Sequence, residues 1–175
     1  MMEDLVPFGC PTYCFFLSVL FFARGMDFLS TWIATPNLKL EANPIARRLG
    51  WKGGIVLNAV LCFVFALWPL PAIVIITSSL LVAARNFQSA WLMRLLGEDE
   101  YRCWIRDRVG EVGLGLYLFC LLAQTALIGS IGGTLIYFSD LHLIPFAIGI
   151  GIITYAFAVL MFTLLSLGRI RRSTN

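Results

Sequence analysis

Residues 141–167 read LHLIPFAIGIGIITYAFAVLMFTLLSL, without one Asp, Glu, Lys or Arg. A hydrocarbon layer about 30 Å thick is crossed by about 20 apolar residues in a helix, so this stretch is long enough to span a bilayer. It is also too uniformly apolar to be the half-exposed helix of a soluble domain. Four further stretches qualify on the same ground, at approximately 13–35, 51–70, 71–96 and 112–138. The chain as a whole agrees. It is 59% hydrophobic and only 13% charged over 175 residues, with a mean hydropathy of +0.86, whereas soluble domains carry about 45–50% apolar and about 25% charged residues. The expected fold is therefore all-α: a polytopic membrane helix bundle with five transmembrane helices, forming a single membrane domain over residues 1–175.

The connections define the expected topology. Trp68-Pro69-Leu70-Pro71 is a tight turn, because proline cannot continue a helix, so the second and third spans form a hairpin and are expected to be neighbours. Ser139-Asp140-Leu141-His142 joins the last two in the same way. Eleven of the thirteen basic residues fall in alternate connections: Lys39, Arg47, Arg48 and Lys52; then Arg94, Arg102, Arg106 and Arg108; then Arg169, Arg171 and Arg172. Basic loops stay in the cytoplasm, so the N-terminus is expected outside and the C-terminus inside a cell inner membrane. Trp32, Trp51 and Trp91 fall near inner helix ends, and Tyr13, Trp68 and Tyr137 near outer ends, as amphipathic rings should. The acidic start Met1-Met2-Glu3-Asp4 lacks the positive n-region of a cleaved secretory signal, and the first span is expected to be retained.

Both long inner connections have structure of their own. Asn43-Pro44 reads as an N-cap with proline at the first helical position, and Gly50 can end the short helix that follows. Residues 98–111 place Tyr101, Trp104, Ile105 and Val109 at helical spacing, with Arg102, Arg106 and Asp99 elsewhere on the wheel. This is the pattern of a short cytoplasmic interfacial helix, whose expected contact is anionic lipid of the inner leaflet. Gly129-x-x-x-Gly133, with Gly132 beside it, and Gly149-x-Gly151 allow close helix approach; internal packing is the favoured reading, a homo-oligomer contact the other. The five cysteines, Cys10, Cys14, Cys62, Cys103 and Cys120, show no zinc-type spacing and read mainly as buried small hydrophobes. Cys10 and Cys14 leave open a disulfide or a metal contact at the outer end of the first span. No nucleotide-binding or hydrolase motif is present, nothing suggests nucleic acid, and the lone His142 excludes a multi-histidine metal site.

Function has to come from the polar residues inside the spans. Arg24 and Arg85 are the two intramembrane basic residues and Asp27 the acid beside them; such charges need partners or water. At 1.5 Å per residue, Asp27 and Arg85 both lie roughly 21 Å from the outer end of their helices, with Asn58, Asn86 and Thr154 near the same level. Arg24, Asp27 and Thr31 form one helical stripe, and Arg85, Gln88 and Ser89 another. The two stripes are expected to face each other, with Asp27 and Arg85 as direct neighbours.

The run Asp27-Phe28-Leu29-Ser30-Thr31, then Glu41-Ala42-Asn43-Pro44 and an apolar helix bearing Asn58, resembles an uncharacterised family of small prokaryotic multi-pass membrane proteins with an Asp-x-x-x-Thr motif followed by Glu-x-Asn-Pro. The similarity covers roughly the first 95 residues. It implies that Asp27, Thr31, Glu41, Asn43 and Pro44 belong together as a motif, and it brings no activity with it.

Several functions fit these residues. The polar layer can be helix–helix glue, in a protein standing alone or as an accessory subunit of a membrane complex. It can be a cytoplasm-facing site, built from Arg24, Asp27, Thr31, Glu41, Asn43, Asn58, Arg85, Asn86 and Gln88, that binds or moves an anionic lipid head group or small anionic solute; two arginines exceed the one nearby acid, and arginine grips phosphate bidentately. Or Asp27 and Glu41 can hold a divalent cation that activates a lipid phosphate, which requires the loop after the first span to fold back beneath the helices. The binding reading is favoured, without catalysis and without a cofactor.

Overall fold

In the computed structural model, which describes residues 5–172 with side chains through Gly168, six helices follow one another: α1 Pro11–Ala34, α2 Pro44–Phe65, α3 Pro69–Leu96, α4 Glu98–Val112, α5 Leu114–Tyr137 and α6 Leu143–Arg172. The start of the chain, residues 1–4, with Glu3 and Asp4, and the side chains of Arg169, Arg171 and Arg172 lie outside that description. Five of the helices are long and apolar enough to cross a membrane, and α4 is the exception.

Local chemistry sets the boundaries. Cys10 caps α1 by accepting the Tyr13 N–H at its Sγ, with Pro11 in the first turn. Asn43 caps α2 by accepting the Ile45 N–H at 3.0 Å. Within α2 the backbone breaks at Gly50, in the left-handed region at φ 64°, so a short helix precedes the spanning one, as Asn43-Pro44 and Gly50 predict. The turn before α3 falls earlier than expected. Helix α2 ends at Phe65, and Pro69 and Pro71 both lie inside the first turn of α3, where a missing N–H costs nothing because that group has no intrahelical acceptor. Gly97 and Gly113, at φ 80° and 85°, are the breaks that set α4 off from α3 and α5.

The spanning helices stand in the row α1–α3–α6–α5, with α2 along the flank of α1. This corrects the expected α2–α3 neighbourhood: the tight turn is present, but α3 packs on α1 and α6 and only grazes α2. The reason lies in small side chains. The buried positions of α1 are Tyr13, Leu20, Ala23, Ser30 and Ala34, and those of α3 are Ala72, Ser79, Ala83 and Ala90. They recur every three, four or seven residues, so each helix offers one narrow stripe of mostly small groups, which lets two backbones approach closely. Helix α2 instead meets α1 edge to edge, through Phe21 against Phe63 and Phe28 against Trp51. At one end of the bundle Tyr13, Leu20, Cys62, Ala66 and Ala72 form the core cluster.

Helices α5 and α6 are neighbours, as their short connection predicts. Their closest approach uses Gly132 and Gly149, where a Cβ on either would come within 2.7 Å of the other's carbonyl oxygen, and Gly151 lies equally tight against Thr77 of α3. Internal packing is thus the role of Gly132, Gly149 and Gly151. The nominal pair Gly129 and Gly133 meets nothing within 4 Å. The cysteines depart from expectation too. All five are free thiols, but only Cys62 is buried; Cys14 and Cys120 are exposed on spanning helices, where an apolar thiol carries no penalty, and Cys103 is exposed on α4.

Candidate functional site

Helices α1 and α3 run parallel in a register set by two contacts. Arg24 Nη1 donates to Ser79 Oγ at 3.0 Å, and Asn86 Nδ2 donates to Thr31 Oγ1 at 3.3 Å; each pair is 55 residues apart. Asn86 also donates to Ser30 Oγ at 3.3 Å. In this register Asp27 is level with Val82, and Arg85 lies about one turn deeper, roughly 4.5 Å along the axis. Arg85 is also rotated about 100° from Asn86, the residue that faces α1. The expected Asp27–Arg85 pair therefore does not form: among the described residues the ion partner of Asp27 is Arg24, at 2.9 Å and one turn away on the same helix. Asp27 and Arg85 lie equally far from the starts of their helices, but the starts themselves are staggered, Pro69 lying three residues deeper than Pro11 in this register.

Arg24 is the hub. Besides Asp27 and Ser79, it reaches α2 through Nε, which donates to Asn58 Oδ1 at 2.6 Å. Asn58 is held in turn by donating to the Gly54 carbonyl at 2.8 Å. One side chain thus ties three helices together through its Nε and Nη1, and its charge is answered. Half-burial of the pair, at 28% and 17% side-chain exposure, strengthens these bonds relative to a surface pair. Arg24, Asp27 and Asn58 act here as interhelical glue, joined by Ser79, which sequence reasoning missed. The signal was available, since Ser79 stands two turns before Asn86 on the same face of α3.

The loop after α1 folds back beneath the helices. Trp51 Nε1 donates to the Pro36 carbonyl at 2.9 Å, and Glu41 Oε1 accepts the Asn43 N–H at 2.7 Å. Glu41 and Asn43 meet each other within the loop, whereas Asp27 and Thr31 are held on the helices by Arg24 and Asn86.

A second missed residue holds this loop. Glu98, at the start of α4, is 8% exposed, and its Oε1 accepts from Thr35 Oγ1 at 2.9 Å and from the Asn37 N–H at 2.8 Å. Lys39 pairs with Asp99, and Arg102 Nη2 donates to the Lys39 carbonyl at 2.6 Å. The hydrogen bond from Lys39 holds the Asp99 carboxyl below the usual carboxylate range. Nothing in the periodicity of residues 98–111 could show this docking, because it depends on where α1 ends in space.

Arg85 stands apart from the Arg24 network. It forms no ion pair and donates no hydrogen bond to a described residue, and its Nη1 is fully buried; the only other such orphan among the described side chains is Glu98 Oε2. Burial raises the Tyr101 phenol above its ordinary pKa, the phenol of Tyr117 adds to this, and the Arg85 guanidinium opposes it, so Arg85 is within electrostatic reach of α4. Tyr101 stacks on Trp104 at 5.9 Å. Gln88 and Thr154 are exposed rather than part of the layer. No three His, Cys, Asp or Glu side chains among the described residues are grouped to hold a metal.

Fold and site together define a polytopic membrane helix bundle with a polar knot at Arg24 and a separate unanswered arginine. Comparison with protein-family models, with curated proteins and with solved structures yields no match to this chain.

Proposed function

We propose that this protein binds an anionic group at Arg85, either the phosphate of a lipid head group or a small carboxylate, entering from the cytoplasmic leaflet. The observation that carries the reading is the contrast between two arginines in apolar helices: Arg24 has a carboxylate, an amide and a hydroxyl, and Arg85 has a buried Nη1 with no acceptor. A guanidinium held among apolar helices is costly unless a counter-charge reaches it. The site narrows accordingly from the nine residues expected to Arg85, with Arg24, Asp27, Asn58 and Asn86 as the scaffold that positions α3.

The test is native mass spectrometry of the protein in mild detergent, titrated with phosphatidylglycerol, with phosphatidylcholine as the zwitterionic control and inorganic phosphate as the free-anion arm. Wild type should retain the anionic lipid, or the free anion, in preference to phosphatidylcholine, and Arg85→Gln should lose that preference at least tenfold, about 1.4 kcal/mol. Equal retention by both proteins overturns the proposal.

Entry from the cytoplasmic leaflet rests on an N-out, C-in orientation. Its support is the placement of Lys39, Arg47, Arg48, Lys52, Arg94, Arg102, Arg106 and Arg108 in alternate connections. Single cysteines introduced on a cysteine-free background should react with an impermeant maleimide from outside at Asp140 and not at Arg106. Labelling at Arg106 from outside reverses the orientation.

A further inference from the structure

Helix α5 carries one amide, in mid-helix, that its own fold leaves unanswered. The hydroxyls of Thr125, Ser130 and Thr134 each return to a carbonyl three or four residues back, at 2.8, 2.7 and 2.8 Å. Gln124 has no such recourse: it makes no hydrogen bond to a described residue, and it is exposed on the outside of the bundle. It is the eleventh residue of a 24-residue helix, so it lies roughly 15 Å from the inner end and roughly 20 Å from the outer. A carboxamide cannot reach water from there, and lipid chains offer it no donor or acceptor.

The face around it is built like a contact surface. Leu116, Cys120, Gln124, Leu127 and Ile131 follow one another at steps of four, four, three and four residues, all on one side of α5 and all exposed. Leu121 and Gly132, which are buried, lie on the side turned to α6. An apolar stripe alone would only suit lipid, and the exposed faces of α2 are of that kind. The amide distinguishes this one, and it also selects the partner: carrying both donors and an acceptor, it is complementary to a second copy of itself.

We infer that α5 is the interface of a parallel homodimer, in which Gln124 of each copy donates to and accepts from Gln124 of the other about a two-fold axis along the bilayer normal. Polar side chains join membrane helices in this way, and a two-fold axis brings identical residues together at equal depth. The inference does not depend on the anion site, which lies on α3.

The native Cys120, one turn from Gln124 on the same face, supplies the test. In vesicles, a variant carrying Cys10→Ser, Cys14→Ser and Cys103→Ser should form a Cys120–Cys120 disulfide on oxidation with copper phenanthroline. Adding Gln124→Leu at an unchanged protein-to-lipid ratio should weaken dimerisation about tenfold, read as lost cross-link and as single-step photobleaching of labelled protein. Leucine on a lipid-facing surface leaves the fold unburdened, so this loss would not be unfolding. A protein that bleaches as a monomer, a dimer indifferent to Gln124→Leu, or cross-linking that requires a cysteine moved to exposed Leu122 would each overturn the inference.

Discussion

Arg24→Gln is expected to destabilise the folded protein by about 3 kcal/mol, the largest effect of any single polar substitution in the layer. The variant removes the hydrogen bonds to Asn58, Asp27 and Ser79. It also leaves the Asp27 carboxylate half-buried and without its ion partner, and an unpaired charge is what makes breaking such a pair expensive. Arg24→Leu combined with Asp27→Leu removes both charges together and should recover most of the loss, since replacing a pair by apolar groups of similar size is often close to neutral. Asp27→Asn should fall between the two. The measurement is unfolding in mixed micelles of increasing SDS fraction, followed by tryptophan fluorescence. An Arg24→Gln midpoint equal to wild type, or a double variant worse than Arg24→Gln, is incompatible with the hub described. Arg85→Gln should move the midpoint little, because no described residue loses a bond.

The second large effect is steric. Gly149→Ala is expected to cost about 2 kcal/mol, and Gly149→Val more, because the new Cβ meets the Gly132 carbonyl oxygen and Ile136 Cγ1 at 2.7 Å. That oxygen is backbone and cannot turn aside, so α5 and α6 must separate along the contact, and overfilling a close-packed interface typically costs 1–3 kcal/mol. Gly132→Ala meets the reciprocal obstacle and should behave alike. Gly129→Ala and Gly133→Ala, which point into open space, should be neutral within about 0.5 kcal/mol. The same SDS titration ranks the four. If Gly129→Ala proves as costly as Gly149→Ala, the α5–α6 contact has been assigned to the wrong face.

The two substitutions separate what can be read along a chain from what cannot. The bundle class and number of spans follow from residues such as 141–167, because apolarity sustained over about 20 residues is a one-dimensional property. So is the punctuation: Asn43-Pro44 and Gly50 act within their own turn, and the short helix they bound falls where sequence puts it. Which helices touch is not a local property. The α1–α3 pairing depends on Ala23, Ser30, Ser79 and Ala83 matching in shape across some 55 residues, and small apolar residues carry no directional signal in a sequence that is apolar throughout.

For the polar layer the division falls in the same place. That Arg24, Asp27, Asn58, Arg85 and Asn86 lie in the membrane was legible, since charge and amide are conspicuous among Leu, Ile and Phe. Their pairing was not, because a register shift of three residues turns a helix by about 300° and shifts it roughly 4.5 Å, enough to hand Asp27 from Arg85 to Arg24. Glu98 and Gln124 complete the point. One is a charged residue drawn inside by Thr35 and Asn37, the other an amide on the outside of the bundle. Composition determined that both would need partners; only the placement of α1 against α4, and of α6 behind α5, decided which of them found one inside the same chain.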